Sequence, residues 1–99
     1  MIYSIHCLYK TDITEQRAQL LPIHRDYIKV IADRVAFAGP LLGREGEPLG
    51  SLIVADFDDE AQAHAWITRE PFNSNGLFRS VEVLAFQNRW PQKAGFPVA

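Results

Sequence analysis

Two side chains in this sequence have the types needed for proton transfer, the imidazole of His24 and the carboxylate of Glu70. A carboxylate can orient an imidazole and stabilise its protonated form, which suits the ring to act as a general base. We therefore predict that His24 removes a proton from a substrate, with Glu70 as its partner. Loss of a leaving group or isomerisation can follow, and neither step needs a metal or an organic cofactor, so none is expected.

His24 lies within a predicted amphipathic helix. At about 100° per residue, Leu20 and Ile28 flank it on one apolar stripe, which also holds Tyr27 and Ile31. Arg17 falls on nearly the same side, whereas the opposite face carries Arg25, Asp26, Lys29 and Asp33. This placement points His24 at the sheet. The alternative is a core histidine bonded to a backbone carbonyl.

Glu70 lies at the end of a second predicted helix, between Trp66 and Ile67 on its apolar side. A carboxylate in the last turn meets the negative end of the helix dipole, which is mildly unfavourable. A nearby cation, His24 or Arg17, would explain such a placement. The alternative is a helix-end glutamate turned outward to solvent.

Further residues are candidates for substrate binding. Arg17 is predicted to hold an anionic oxygen, because its guanidinium stays charged. Ser51 and the backbone of Gly39 are weaker candidates for the lining. Tyr27, Phe72 and Phe78 are candidates for an aromatic wall against a planar ligand.

Other polar groups predict less. The three histidines have no tight spacing, so no metal site is expected. Cys7 is typical of a small core residue in a strand. The segment 43–50 predicts a hairpin turn and not a phosphate loop, because no helix begins there.

The elements that must position these residues follow the order βαββαβ. Strands are predicted over 2–9, 35–42, 51–57 and 78–86, with a loop at 72–77. The first helix runs from about Glu15 to Asp33, with Thr14 as its N-cap and a kink or restart at Pro22. The second runs from Asp59 to about Glu70, with Asp58 as its cap. This pattern predicts an α+β, ferredoxin-like fold, a four-stranded antiparallel sheet with both helices on one face.

Both faces of that sheet are apolar in the sequence pattern. Two helices can cover only one face, and a contiguous exposed apolar patch marks an association site. We therefore predict a homodimer that packs sheet against sheet about a two-fold axis. The alternative is that the tail, through Trp90 and Phe96, folds under the sheet.

Length and composition limit the remaining possibilities. The 99 residues, 47% of them apolar, predict one globular domain over 1–87 followed by a C-terminal tail over 88–99. A net charge of −2 argues against binding nucleic acid or anionic lipid in bulk. The single cysteine, the lack of a signal-peptide pattern and the lack of a long apolar run predict a soluble, cytoplasmic protein.

Four short motifs in order resemble the YciI-like (YCII-related) family. They are Arg17 with Pro22-Ile23-His24 and Tyr27, then Ala38-Gly39-Pro40-Leu41, then Gly50-Ser51, and Glu70-Pro71-Phe72 with Gly76-Leu77-Phe78. The resemblance extends to about Phe86. It implies a small ferredoxin-like protein that dimerises through its sheets, a dimeric α+β barrel-type association.

The resemblance also implies a site. The family's suspected active site pairs a histidine, matched here by His24, with the aspartate of an Asp-Pro-Phe/Tyr motif. Glu70-Pro71-Phe72 stands at that motif, so the carboxylate is kept and reaches one methylene further. One branch of the family resembles a dehydrochlorinase of chlorinated hydroxyhydroquinone, which implies a lyase acting on a small phenolic substrate.

Three other functions remain open at this point. The same cleft could bind a small acid or phenol without turnover, the chain could be a muconolactone-isomerase-like enzyme, or it could be a structural dimer without a ligand. Titration with catechols, hydroxyquinones and small carboxylic acids distinguishes turnover, binding and neither.

Overall fold

A single antiparallel sheet of four strands, in the order β2–β3–β1–β4, forms the centre of the molecule. The structure, a computed structural model, describes residues 1–91. Its elements are β1 (Ile2–Tyr9), α1 (Thr14–Lys29), β2 (Val35–Leu42), β3 (Pro48–Asp56), α2 (Glu60–Arg69), α3 (Pro71–Ser74) and β4 (Phe78–Ala85). Strand β1 pairs with both β3 and β4. The predicted α+β fold and its element order are therefore confirmed.

The core lies between this sheet and the helices, because side chains alternate strictly along β1. Tyr3, Ile5, Cys7 and Tyr9 are buried, while the residues between them are only partly covered. Ala63 and Ile67 of α2 join the same core, and Leu20 and Leu21 of α1 pack against it. Both helices thus cover one face of the sheet, as predicted.

Helix α1 differs from the prediction at both ends. Thr14 is its first residue and not its cap, because Ile13 precedes the helix and its carbonyl accepts the Arg17 backbone N–H at 2.8 Å. The helix ends at Lys29, and a short 3₁₀ turn at Ala32–Arg34 leads into β2. Pro22 neither ends the helix nor restarts it. Its ring lies on the exposed side, where water can reach the carbonyl that lacks a donor.

The second half also differs in detail. Asp59, and not Asp58, caps α2 by accepting the Gln62 N–H at 2.8 Å. Strand β3 begins at Pro48, three residues earlier than predicted, because the turn before it is tight and Gly46 takes a left-handed conformation (φ 83°). The predicted loop after Pro71 begins instead with the short helix α3.

Phe78 lies on the other face from the one its spacing predicts. Strict alternation along β4 would place it on the same face as Leu84, but Phe78 is buried in the helix-covered core beside Tyr9. The pairing of β1 with β4 shifts register between Leu8 and Tyr9, which turns Phe78 inward.

The uncovered face of the sheet carries a set of apolar residues. They are Ile2, Leu8, Phe37, Leu52, Val54, Leu84 and Phe86. Leu84 is 59% exposed, and Phe37 and Phe86 are also exposed. Trp90 is exposed as well and does not pack beneath the sheet, while Phe96 lies outside the described residues. Within residues 1–91, no helix combines the length and the apolar character needed to cross a bilayer.

Candidate active site

His24 and Glu70 meet between the helices. Nδ1 of His24 lies 2.5 Å from Oε1 of Glu70, within hydrogen-bond distance. The Glu70 side chain is 1% exposed and the His24 side chain 13% exposed. The fold therefore brings together the imidazole and the carboxylate that the sequence singled out.

Glu70 connects two helices, and this position explains its orientation. Its backbone is extended (φ −61°, ψ 132°), so it ends α2 and precedes α3 instead of continuing the helix as predicted. Its Oε2 accepts backbone N–H groups from Phe72 at 3.1 Å and Asn73 at 3.3 Å. The expected repulsion at a helix C-terminus is thus replaced by an N-cap on the following helix. One carboxylate oxygen caps α3 and the other faces the imidazole.

The ring of Phe72 packs against the imidazole of His24. Its ring is fully buried and stacks on the His24 ring with centroids 4.0 Å apart and planes inclined by 12°. Asn73 fixes the same short helix by donating from Nδ2 to the carbonyl of Ile67 at 2.9 Å. Phe72 was predicted as a wall of the substrate cleft, whereas the structure places it behind His24.

Arg17 lies about two helical turns before His24, on the same side of α1. Its Nε donates to the Tyr9 hydroxyl at 3.0 Å. The guanidinium carbon is 5.7 Å from the Tyr9 ring centroid and 5.9 Å from that of Phe72. The side-chain hydrogen bond of Arg17 therefore uses Nε. Within residues 1–91, its two terminal nitrogens make no side-chain hydrogen bond.

A cleft of about 160 Å³ lies between α1 and the edge of the sheet at β2. Its lining includes Arg17, His24, Arg25, Gly39, Pro40 and Ser51. Four of the residues predicted for catalysis or binding, His24, Arg17, Gly39 and Ser51, therefore share one cleft. Ser51 is nearly buried, and Pro40 is its partner across the β2–β3 pair.

The cleft is electropositive. Arg17 and Arg25 both line it, and none of the described lining residues is acidic. Arg25 was assigned to the solvent face, since it occupies the polar side of the helical wheel. A polar side chain at the rim of a cleft and one in bulk solvent give the same sequence pattern. The sequence therefore could not show that Arg25 borders the cleft.

Tyr27 lies elsewhere. Its hydroxyl donates to the carbonyl of Trp66 at 2.7 Å, and its ring lies 5.1 Å from the Trp66 ring, on the α2 side of α1. Burial raises the pKa of the Tyr27 phenol, an effect that the charge of Arg69 partly opposes. The structure thus separates Tyr27 from the cleft that holds His24.

Cys7 lies beneath the site and is chemically quiet. It is fully buried, and this burial, reinforced by the negative charge of Glu70, raises the pKa of its thiol to about 12. A thiol that stays protonated is a poor nucleophile. In the part of the chain that the structure describes, no three His, Cys, Asp or Glu side chains cluster closely enough to hold a metal ion.

Two relatives are similar to this chain over most of its sequence. The chain is 27% identical over 95 residues to Protein YciI of Escherichia coli O6:H1, an alignment that covers 88% of this chain and 97% of the relative. Protein YciI of Shigella flexneri gives the same identity and coverage.

A solved structure has the same architecture. It is 5-chloro-2-hydroxyhydroquinone dehydrochlorinase (TftG) from Burkholderia phenoliruptrix AC1100, in complex with 2,5-dihydroxybenzoquinone. The TM-score is 0.84 at 19% identity, and the match covers 90% of this chain and 96% of the other. Residues 1–87 also match the sequence family described as the YCII-related domain. The motif resemblance is thereby confirmed, and this chain belongs to the YCII-related domain family.

Proposed function

We propose that this protein is a cofactor-independent, lyase-type enzyme that uses His24 as a general base on a small, planar, anionic substrate. The observation that carries the proposal is the contact between His24 Nδ1 and Glu70 Oε1 at the wall of an electropositive cleft. A homodimer formed through the uncovered sheet face is part of the proposal, because the cleft lies on the helix-covered side and stays open in such a dimer.

The contact with Glu70 supports one of the two imidazole nitrogens as the base. A carboxylate only accepts hydrogen bonds, so Nδ1 of His24 donates its N–H to Oε1 of Glu70. This tautomer leaves the lone pair on Nε2, and the exposed part of the ring borders the cleft. Nε2 is therefore the proposed base. The imidazolium formed after proton transfer stays next to Glu70, whose carboxylate stabilises the positive charge.

The reaction balances without an added oxidant or reductant. His24 Nε2 takes a proton from a substrate hydroxyl, and the imidazolium returns a proton to the ring carbon that carries the leaving group. Nε2 then takes a proton from a second hydroxyl, and the electron pair left on that oxygen forms the quinone as the leaving group departs with its own bonding pair. A chloride ion suits this role because it leaves as an anion. The cationic lining, Arg17 above all, stabilises the anionic oxygen that develops on the substrate.

The substrate class is supported by the size of the cleft and by the structural neighbour. About 160 Å³ is below the roughly 300–1,000 Å³ of sites for drug-sized ligands, which favours a single ring. The neighbour is named as a dehydrochlorinase and was solved with a dihydroxybenzoquinone. We extend that chemistry to this chain as a chlorinated hydroquinone or a related phenol.

The test is turnover of chlorinated hydroxyhydroquinones by the wild-type protein and by His24→Asn, measured as chloride release. We expect wild-type turnover, and a loss of about 10²–10⁴-fold in His24→Asn, the range typical of a positioned general base. Circular dichroism and ligand titration of the same variant check that its fold and its cleft remain.

The outcomes separate the competing functions. Saturable binding by the wild type without turnover makes the protein a binding module and contradicts the catalytic proposal. If His24→Asn keeps full turnover, the histidine is a structural residue and the proposed mechanism is wrong.

A further inference from the structure

A second cleft, of about 210 Å³, lies on the other side of α1 between its C-terminal half and α2. Its walls include the rings of Tyr27, Phe57 and Trp66, and its polar residues include Arg34, Asp58 and Arg69. The proposed catalysis uses none of them. The cleft opens on the helix-covered side, so a dimer formed through the opposite sheet face leaves it accessible.

Aromatic rings form the floor of this cleft. The Trp66 ring lies 5.1 Å from the Tyr27 ring and 5.9 Å from the Phe57 ring. The Tyr27 hydroxyl donates to the backbone carbonyl of Trp66 at 2.7 Å, which fixes Tyr27 against α2. Trp66 itself is only partly buried. A planar ligand can therefore stack on a floor that already has a fixed shape.

The charges in the cleft leave one positive charge uncompensated. Arg34 lies near Asp58, with 3.8 Å between Nη1 and Oδ1. Arg69 takes part in none of the ion pairs within residues 1–91, and it is close enough to Tyr27 to affect the electrostatics of the phenol. A guanidinium beside an aromatic floor matches a carboxylate attached to a ring, since the planar fork of arginine pairs with both carboxylate oxygens.

We propose that this second cleft binds a small aromatic carboxylate, with its ring on Trp66 and its carboxylate paired with Arg69. The ligand carries one negative charge, which matches the net charge of the two arginines and Asp58. The volume limits the ligand to about one ring with its substituents. This site is independent of His24 and Glu70, so it stands or falls separately from the catalytic proposal.

The experiment uses Trp66 as a reporter in the full chain. The sequence contains only two tryptophans, so Trp90→Phe leaves Trp66 as the single indole fluorophore. Benzoate is the probe, with cyclohexanecarboxylate as an anion without a planar ring and benzyl alcohol as a planar ring without a charge. We expect a saturable fluorescence change with benzoate and weaker or no binding of the other two.

Variants locate the binding. Arg69→Gln removes the charge that pairs with the carboxylate and is expected to weaken benzoate binding roughly tenfold. Ala65→Phe, at an exposed position of the lining, fills the cleft and is expected to block binding. Arg25→Gln is the matched control, because Arg25 lines the other cleft and its loss leaves binding unchanged.

Any one of four results overturns the proposal. They are no saturable change with benzoate, equal affinity in Arg69→Gln and the wild type, loss of binding in Arg25→Gln, and retained binding in Ala65→Phe. Circular dichroism of each variant separates loss of the site from loss of the fold.

Discussion

At the scale of single residues, Glu70 is the most constrained side chain of the site. Its two oxygens have different partners, the His24 imidazole on one side and two backbone N–H groups of α3 on the other. No other acidic residue described here is as deeply buried. The position of Glu70, the proposed partner of the base, therefore depends on the same contacts that begin α3.

A first prediction follows for Glu70→Gln. An amide has one acceptor oxygen and one NH₂ donor. If the oxygen keeps the backbone N–H groups of Phe72 and Asn73, the NH₂ donates to Nδ1 of His24, so the ring proton moves to Nε2 and the proposed base loses its free lone pair. We expect a loss of turnover and a fall of about 1–3 kcal/mol in the free energy of unfolding, because hydrogen bonds to a charged carboxylate are replaced by bonds to a neutral amide. Urea unfolding measures the second effect.

Glu70→Asp is the matched control, because it keeps both acceptor oxygens and the charge while shortening the reach by one methylene. It is expected to lose less stability than Glu70→Gln. Equal stability of Glu70→Gln and the wild type would show that the negative charge of Glu70 contributes nothing to the free energy of unfolding.

A second prediction concerns Cys7 at high pH. Burial raises the pKa of its thiol from the usual 9.0 to about 12. Between these values the unfolded chain loses this proton and the folded chain keeps it, so the free energy of unfolding falls as pH rises. The loss is at most about 1.4 kcal/mol per pH unit.

Cys7→Ala removes this titration. Urea unfolding of both proteins at about pH 8 and about pH 10 is expected to show a smaller pH dependence in the variant, whatever its absolute stability. The comparison uses the difference between the two pH values, so the cavity left by the substitution cancels. A parallel fall in both proteins would mean that the thiol ionises normally.

The sequence predicted the pair of His24 and Glu70 but not the environment of Glu70. Helical spacing turned His24 toward the sheet, the unfavourable place of Glu70 at a helix end indicated a cationic partner, and the family resemblance supported the pair. The cap on α3 could not be predicted, because it requires Glu70 to leave the helical conformation before Pro71. Tyr27 was misplaced because a residue three positions along a helix is turned by about 60° from His24, enough to face Trp66 of α2 instead of the cleft at β2.

At the scale of elements, the sheet depends on one close approach between strands. A Cβ built on Gly50 of β3 would overlap the carbonyl oxygen of Cys7 in β1, which is backbone and cannot move aside. A Cβ built on Gly39 of β2 would meet no other atom within 4 Å. The two positions therefore differ in whether they can accept a side chain, although both lie in strands near the cleft that holds His24.

A third prediction compares these two glycines. Gly50→Ala is expected to destabilise the fold by about 1–3 kcal/mol, since it forces β3 away from β1. Gly39→Ala is expected to change stability by less than about 0.5 kcal/mol, as for a surface substitution. Thermal unfolding of both variants checks the difference, and equal melting temperatures would contradict the strand spacing described here.

Element types were predicted better than element limits. Alternation along β1 and the apolar run of 35–42 specify strands because burial depends directly on these patterns. The end of α1 was placed four residues too late, since Val30 and Ile31 continue the helical pattern while the chain already turns toward β2. The shift of Phe78 into the core arises from a change of register, which the sequence of β4 alone does not encode.

At the scale of the whole molecule, the uncovered sheet face favours association. Leu84, Phe37 and Phe86 are exposed there, with other apolar residues beside them. Polar residues lie among them, His6 opposite Glu82 and next to Ser4. A second copy that packs on this face would remove its apolar side chains from water, and the hydrophobic effect would stabilise the dimer.

A fourth prediction tests the homodimer. Sedimentation of the wild type at micromolar concentration is expected to give the mass of two chains. Leu84→Lys places a charge on the apolar face and is expected to shift the protein toward the monomer. Val30→Lys, at an 80% exposed position on the helix-covered side, is the control and keeps the dimer. A monomeric wild type would sink the prediction.

The division of labour within Glu70 has a consequence for how such proteins diverge. Because one side chain both starts a helix and faces the base, drift at this position is penalised through folding even when the chemistry is not under selection. The residues of β2 and of the exposed side of α1 that form the rims of the His24 cleft do not have this second, structural role. New substrate preferences are therefore expected to arise by mutation of those rims, while the imidazole and a carboxylate beside it are retained.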